Sequence, residues 1–382
     1  MPFDHHNYLN APSAGDFAIT ASTDAPAVAS PTYSDVGSVP DSLRKHGVAE
    51  IILVHGTFAG NDVIGLIREV GRFSPKLAGA IKTMGKQSFD AMAGDIGNYT
   101  QAFADCLSDL INHNQPSKIA VTRYTWSGEN HHLGWADGAI GLMDLLFQRR
   151  YDADDRVLVS GHSHGGNLLA MMGQLIGASD QERQAFFAAT RSHYRNPLTG
   201  KIDLPRWVAV CQSLCEKSKR ESLPRIDVAT FGTPLRYRFN TIVQPNVMHF
   251  VQHRCLSDAN DAKAIYPTSI QDLLEATGGD YVQQFGIGGT DFLQSIFAPR
   301  SWFPERRLAK MFESSVRRRD LPKNLKRGHR VSLDGTTLLV DYPDTDQQWN
   351  RKLLGHGVYT RPEWLPFHLS HLEERFYPKL VS

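Results

Sequence analysis

Residues Arg156–Ala170 limit the folds open to this chain more than any other stretch. Arg156-Val157-Leu158-Val159-Ser160 is a short apolar run, the pattern of a strand buried on both faces. Gly161-His162-Ser163-His164-Gly165-Gly166 reads as a tight turn, and Asn167-Leu168-Leu169-Ala170 opens a helix. A G-x-S-x-G string between a buried strand and a helix has the setting of a nucleophile elbow. A hydroxyl is a weak nucleophile, so such chemistry needs it on a rigid turn beside a base. Gly161 and Gly165 lack the Cβ that would clash in that turn, and Gly166 adds slack. The helix N-terminus behind them aims unpaired N–H groups at any developing anion. The bland reading is a structural turn with an idle serine; the flanking strand and helix favour the elbow.

A parallel sheet needs more strands of the same kind, and the chain supplies them. Glu50-Ile51-Ile52-Leu53-Val54, Lys118 to Trp126, Arg225 to Phe231 and Asn246 to Gln252 are apolar runs of strand length. Between them Ala102, Phe103, Cys106, Leu107, Leu110 and Ile111 recur at helix spacing, and a helix is expected from Ser163 through Leu175. Strands alternating with helices predict a doubly wound α/β fold with right-handed crossovers. Thr336–Val340 reads as a late strand, paired with Val331–Leu333 across Asp334-Gly335. Insertions are expected near 61–97, 179–223 and 294–330, with no internal repeat and no second core.

The 382 residues suffice for one large α/β domain, placed at 46–382. Residues 1–45, rich in Ala, Ser, Pro, Thr and Asp, read as a disordered tail. Hydrophobic residues at 41% and charged residues at 21% suit a soluble protein with a sizeable core. A net charge of +1 gives no global pull toward nucleic acid or anionic membrane. Cys106, Cys211, Cys215 and Cys255 are too few and scattered for a disulfide framework, and reduced thiols favour a cytosolic origin. No run reaches the length of a membrane span, and the N-terminus has neither a basic n-region nor an apolar h-region. The expected location is cytoplasmic, with non-classical export as the alternative.

Beyond the nucleophile, serine chemistry needs a base, an acid to orient it, and donors for the oxyanion. Ser163 fills the first role; the N–H of His164 and an N–H of Thr57 or Phe58, in His55-Gly56-Thr57-Phe58 after an early strand, fill the last. His356 is the first choice of base, in a glycine-bracketed loop after the last strand. His368 and His371 sit at helix spacing, where a surface or core-edge place is commoner. His5, His6, His131 and His132 read as solvated pairs; with no carboxylate at ligand spacing, neither metal nor cofactor is expected.

This set resembles the lipase/esterase branch of the α/β-hydrolase superfamily. The resemblance rests on Val54-His55-Gly56-Thr57, Gly161–Gly166, Ala229-Thr230-Phe231-Gly232-Thr233-Pro234 and His356-Gly357-Val358-Tyr359. The T-F-G-T-P strand end is similar to that of class 3 lipases and of GPI-inositol-deacylase-like lipases. Trp126-Ser127-Gly128-Glu129-Asn130 resembles a W-S-G-x-N segment of bacterial lipase-like proteins. Class 3 lipases carry the acid in N-D-x-x-x-x-x-P, which Asn260–Pro267 matches, so the resemblance implies Asp261 as the acid. Asp258 is one turn away, and a second reading makes Asp280–Asp291 a strand with Asp291 as the orienter. Each aspartate can equally be a cap or turn residue.

The resemblance implies hydrolysis of a lipid or other acyl ester through acyl-Ser163. A transacylase or amidase on the same apparatus is the alternative, and a catalytically silent binding module is an alternative of another class. Gln294–Arg330 holds eleven Lys/Arg against three Asp/Glu, with Leu308, Met311, Phe312 and Val316 at helical spacing. It reads either as a core-packed helix with a solvated face or as an interfacial element drawn to anionic lipid. Nucleic acid is not an expected partner.

Overall fold

The computed structural model describes residues 3, 6, 8, 12–13, 15–21, 30–56, 99–255, 262–288, 299–312, 323–324, 327–343 and 353–379. Among them are seven strands: β1 (Phe17–Ala21), β2 (Val48–Val54), β3 (Ala120–Tyr124), β4 (Arg156–His162), β5 (Arg225–Phe231), β6 (Val247–Gln252) and β7 (Thr336–Asp341). They form one all-parallel sheet in the order β1-β7-β6-β5-β4-β2-β3. The helices are α1 (Val39–Lys45), α2 (Gln101–Asn112), α3 (His132–Gln148), α4 (Gly165–Gly177), α5 (Asp180–Tyr194) and α6 (Pro205–Cys215). After them come α7 (Lys217–Glu221), α8 (Ile270–Glu275), α9 (Tyr281–Ile287), α10 (Pro299–Phe312) and α11 (Leu365–Phe376).

Because side chains alternate along a strand, the apolar runs feed two cores at once. Ile52, Val54, Val157, Val159, Ile226 and Val228 pack under α3 and α4, with α5 and α6 outside them. Ile51, Leu53, Leu158, Ala229 and Phe231 face the other way, against α1, α2 and α11. Each fully buried aliphatic side chain contributes about 1.5–3 kcal/mol. The register also aligns one rim: Val54 pairs with Gly161, and His162 with Phe231. His55-Gly56, Ser163 and Gly232 therefore leave the sheet side by side at the carboxyl ends of their strands.

Three expectations are corrected. The described residues of 1–45 are built into the fold, not a tail. β1 extends the sheet beside β7, Phe3 packs on Phe312 with ring centroids 4.6 Å apart, and Val39 and Leu43 of α1 are buried. Averaged composition concealed short apolar triplets such as Phe17-Ala18-Ile19. Second, Thr336–Asp341 does not fold back on Val331–Leu333; it lies between β6 and β1, parallel to both. A strand buried between neighbours on both edges needs no hairpin partner. Third, His6, His131 and His132 are buried, not solvated: His6 Nε2 accepts from Leu333 N–H at 3.0 Å, and His132 Nδ1 bonds Tyr237.

The expected insertion over 179–223 holds α5, α6 and α7, whereas that over 61–97 lies outside the described residues. Cys106, Cys211, Cys215 and Cys255 form no disulfide with one another. In the basic stretch 294–330, Leu308 and Phe312 of α10 are buried in the core under α3. No described helix is long and apolar enough to cross a membrane.

Candidate active site

Ser163 follows β4 with φ +51°, in the left-handed region, where a residue with a Cβ is strained by about 1–3 kcal/mol. The strain is held in place: Ser163 N–H donates to Phe231 O at 2.9 Å, and α4 begins two residues later at Gly165. A Cβ on Gly56 would lie 2.6 Å from Ser163 Cβ, so the loop after β2 runs hard against the serine. Trp126 buttresses that loop. Its indole N–H donates to His55 O at 2.9 Å, and its backbone N–H donates to His55 Nε2 at 3.2 Å. From the other side Asn167 of α4 clamps the turn after β5, donating to Pro234 O at 3.1 Å and accepting from Arg236 N–H at 2.7 Å.

His164 stands just ahead of α4, where helix geometry leaves N–H groups without intrahelical acceptors. Its ring stacks on Trp135 with centroids 5.5 Å apart and bonds Asn167 Nδ2 at 3.2 Å. Burial, helped by the charges of Arg236 and His356, pushes its pKa down to about 3. The imidazole is therefore a neutral wedge. Thr57 and Phe58, the expected second oxyanion donors, lie outside the described residues.

His356 sits in the loop after β7, and its Nδ1–H donates to Asp280 Oδ2 at 2.7 Å. Both side chains are wholly buried. The carboxylate fixes the tautomer, because a proton on Nδ1 leaves the lone pair on Nε2. Asp280 is itself fixed at three points. Oδ1 caps α9 by accepting from Gln283 N–H at 2.8 Å, and Oδ2 accepts from Tyr359 OH at 2.9 Å as well as from His356. Tyr359 OH in turn accepts from Gln252 N–H at 2.7 Å. Burial and the neighbouring Asp280 hold the Tyr359 pKa far above its ordinary value, so the phenol stays a donor. The buried guanidinium of Arg330 closes the back of this group, donating to Gln252 O at 2.7 Å and Gln284 Oε1 at 2.8 Å.

Gly232 joins the two halves. It has φ +58°, and a Cβ there would lie 2.6 Å from Asp280 Oδ2 and 2.9 Å from His356 Cε1. Its neighbour Phe231 is the residue whose carbonyl receives the Ser163 N–H. The His356 ring also packs on His162, with centroids 4.6 Å apart. Ser163 is fully buried, and its Oγ makes no hydrogen bond to any described residue.

The structure thus gathers Ser163, His164 and His356 at one rim of the sheet. Asp258, Asp261 and Asp291 lie outside the described residues. The carboxylate on His356 is that of Asp280, which the sequence reading had placed only as the first residue of a strand. That strand is corrected: Tyr281–Ile287 is the helix α9, and Asp280 is its N-cap. Gly278-Gly279-Asp280 ahead of an apolar run was a signal for a turn and helix start, with Gly279 at φ +96°. His368 belongs to the core, bonded to Tyr342 OH at 2.7 Å, and burial pushes its pKa down to about 3. Among the described residues no group of His, Cys, Asp and Glu has the geometry to hold a metal. Comparison with family models, curated proteins and solved structures yields no match to this chain.

Proposed function

We propose that this chain is a serine carboxylic-ester hydrolase of α/β-hydrolase type, acting on a lipid or other acyl ester through Ser163. The observation that carries the proposal is the buried Asp280–His356 pair beside a strained serine on a strand-to-helix turn. Chain order supports it too, since nucleophile, then acid, then histidine is the order of α/β-hydrolases. In this reading His356 Nε2 takes the Ser163 proton as Oγ attacks the ester carbonyl, and Asp280 stabilises the imidazolium that forms. The oxyanion is received by His164 N–H at the start of α4. His356 then protonates the leaving alkoxide, and water repeats the sequence on the acyl-serine. The bonded Nδ1 prevents the ring from turning its wrong nitrogen to the serine.

With Ser163 and His356 both wholly buried, entry of an ester requires the cover over them to open. A fluorophosphonate probe tests the assignment. The wild-type chain is expected to be labelled and Ser163→Ala to stay unlabelled; a label that persists in the variant overturns the nucleophile. Hydrolysis of a panel of p-nitrophenyl esters and phospholipids then identifies the acyl group and head group.

A further inference from the structure

A pocket of about 590 Å³ opens between α5, α10 and the turn at Asn196–Gly200, and none of its lining residues belongs to the Ser163 site. Four arginines line it: Arg191, Arg195, Arg300 and Arg307. Arg300 is anchored, donating through Nε to Ser192 O at 3.1 Å and pairing with Asp203. Arg307 reaches Ala189 O at 3.5 Å. Arg191, Arg195 and Arg307 have no carboxylate partner among the described residues. A concave site with this excess of guanidinium favours an anion, and guanidinium geometry suits phosphate oxygens.

The rim says where that phosphate comes from. Leu198 is 94% exposed and Phe303 is 50% exposed, and with Ile202 they make up half of the large exposed apolar side chains among the described residues. Leu198 does not sit on a loose loop. Arg195 and Ile202 bridge the base of the turn, Asn196 N–H donates to Lys201 O at 2.8 Å, and Asn196 Oδ1 accepts from Leu198 N–H at 2.9 Å. A rigid turn that holds a leucine in water gains by placing it in an apolar phase. Beside Phe303, Trp302 carries the Arg306 guanidinium 4.8 Å over its ring, an amphipathic pair suited to a headgroup layer.

Free phosphate or a nucleic-acid backbone would use the arginines and leave Leu198 and Phe303 idle. We propose that this pocket is a headgroup site for anionic phospholipid, with Leu198 and Phe303 inserted between headgroups of the same bilayer. It would hold the chain on an anionic membrane surface apart from any chemistry at Ser163. Leu308 and Phe312 of α10 do not enter the lipid, because they are buried in the core; Phe303 and the basic edge of the helix face the bilayer.

Sedimentation of the full chain with vesicles of phosphatidylcholine, with and without phosphatidylglycerol, tests the site. Binding is expected only to the anionic vesicles and is expected to weaken as salt rises. Each of Arg191→Gln and Arg195→Gln is expected to lower vesicle affinity about fivefold. Arg191→Lys is expected to retain most of it. Leu198→Ser and Phe303→Ser are expected to weaken binding at both low and high salt, whereas a purely structural role for these residues would leave binding unchanged in a folded variant. Thermal melts establish that each variant is folded. Equal binding to both vesicle types, or wild-type binding by all the folded variants, overturns the proposal. So does full competition by inorganic phosphate, which would mark a soluble-anion site. A DNA oligonucleotide that binds as tightly, unaffected by Leu198→Ser, would also overturn it and mark a nucleic-acid surface. Ser163→Ala is expected to bind vesicles like the wild type, so this result stands or falls separately from the hydrolase reading.

Discussion

Asp280 serves a helix and a histidine with the two oxygens of one carboxylate. Oδ1 caps α9 and Oδ2 receives His356 and Tyr359, so the imidazole is oriented by a group that is itself locked. Asp280→Asn separates these duties, because asparagine caps a helix about as well as aspartate but offers an amide that reverses the tautomer preference. Ester turnover is expected to fall by about 10⁴-fold with little change in melting temperature. Steady-state kinetics beside a thermal melt check this; unchanged turnover would remove Asp280 from the mechanism. Tyr359→Phe deletes one donor to Asp280 and leaves Gln252 N–H without its acceptor, a loss of about 1–3 kcal/mol of stability. A urea titration reads it. Asp280 as the partner of His356 escaped the sequence because Tyr281–Ile287 is too short and too apolar for periodicity to separate a helix from a strand. The turn that carries Ser163 did not escape, since local sequence specifies a strand-to-helix turn.

Helix α10 is held by a buried carboxylate as well as by apolar packing. Glu305 accepts from the N–H groups of His132 at 3.3 Å and Leu133 at 2.7 Å, filling the start of α3. Burial alone would raise the Glu305 pKa, but the His132 and His131 imidazoles beside it, helped by the Leu133 N–H, hold it below its ordinary value. Glu305→Ala is expected to cost about 1–3 kcal/mol, read as a lower melting temperature, and Glu305→Gln distinctly less because it keeps one acceptor. If both variants melt with the wild type, the cap contributes nothing. The basic amphipathic pattern was legible in the sequence, but which face of it met protein was not. That choice rests on Glu305 finding α3, a residue more than 170 positions distant.

The sheet as a whole depends on its N-terminal edge strand. Among the described residues β1 pairs only with β7, and removing residues 1–21 would uncover the β7 edge and strip Phe3 and Tyr8 from the core. The truncated chain is expected to melt lower and to aggregate through the opened edge. Light scattering on the two chains checks this. Buried histidines spread through the fold give a pH signature. His164 and His368 are pushed down to about 3 and His249 to about 4, each mainly by burial, against an ordinary value of 6.5. A depressed value means that the unfolded chain binds more protons between the folded and unfolded pKa. What these three histidines contribute to stability is therefore full above about pH 6.5 and falls as pH drops toward 4. Urea midpoints are expected to decline as pH falls below 6.5; a flat profile from pH 6.5 down to pH 5 would contradict neutral buried imidazoles at these three positions.

Local sequence was enough for the strand-to-helix turn at Ser163 and for six of the seven strands. Each follows from short-range rules: alternation, turn chemistry, and the glycines a tight strand-to-helix turn needs. Long-range packing settled the rest. Asp280 became the partner of His356 because α9 starts beneath it, and β1 joined the sheet because β7 offered an edge. α10 turned its apolar stripe inward because Glu305 and Phe312 found α3 and Phe3. These contacts join residues far apart in the chain, and a pattern read over a few turns carries no information about which distant group will be there to meet it.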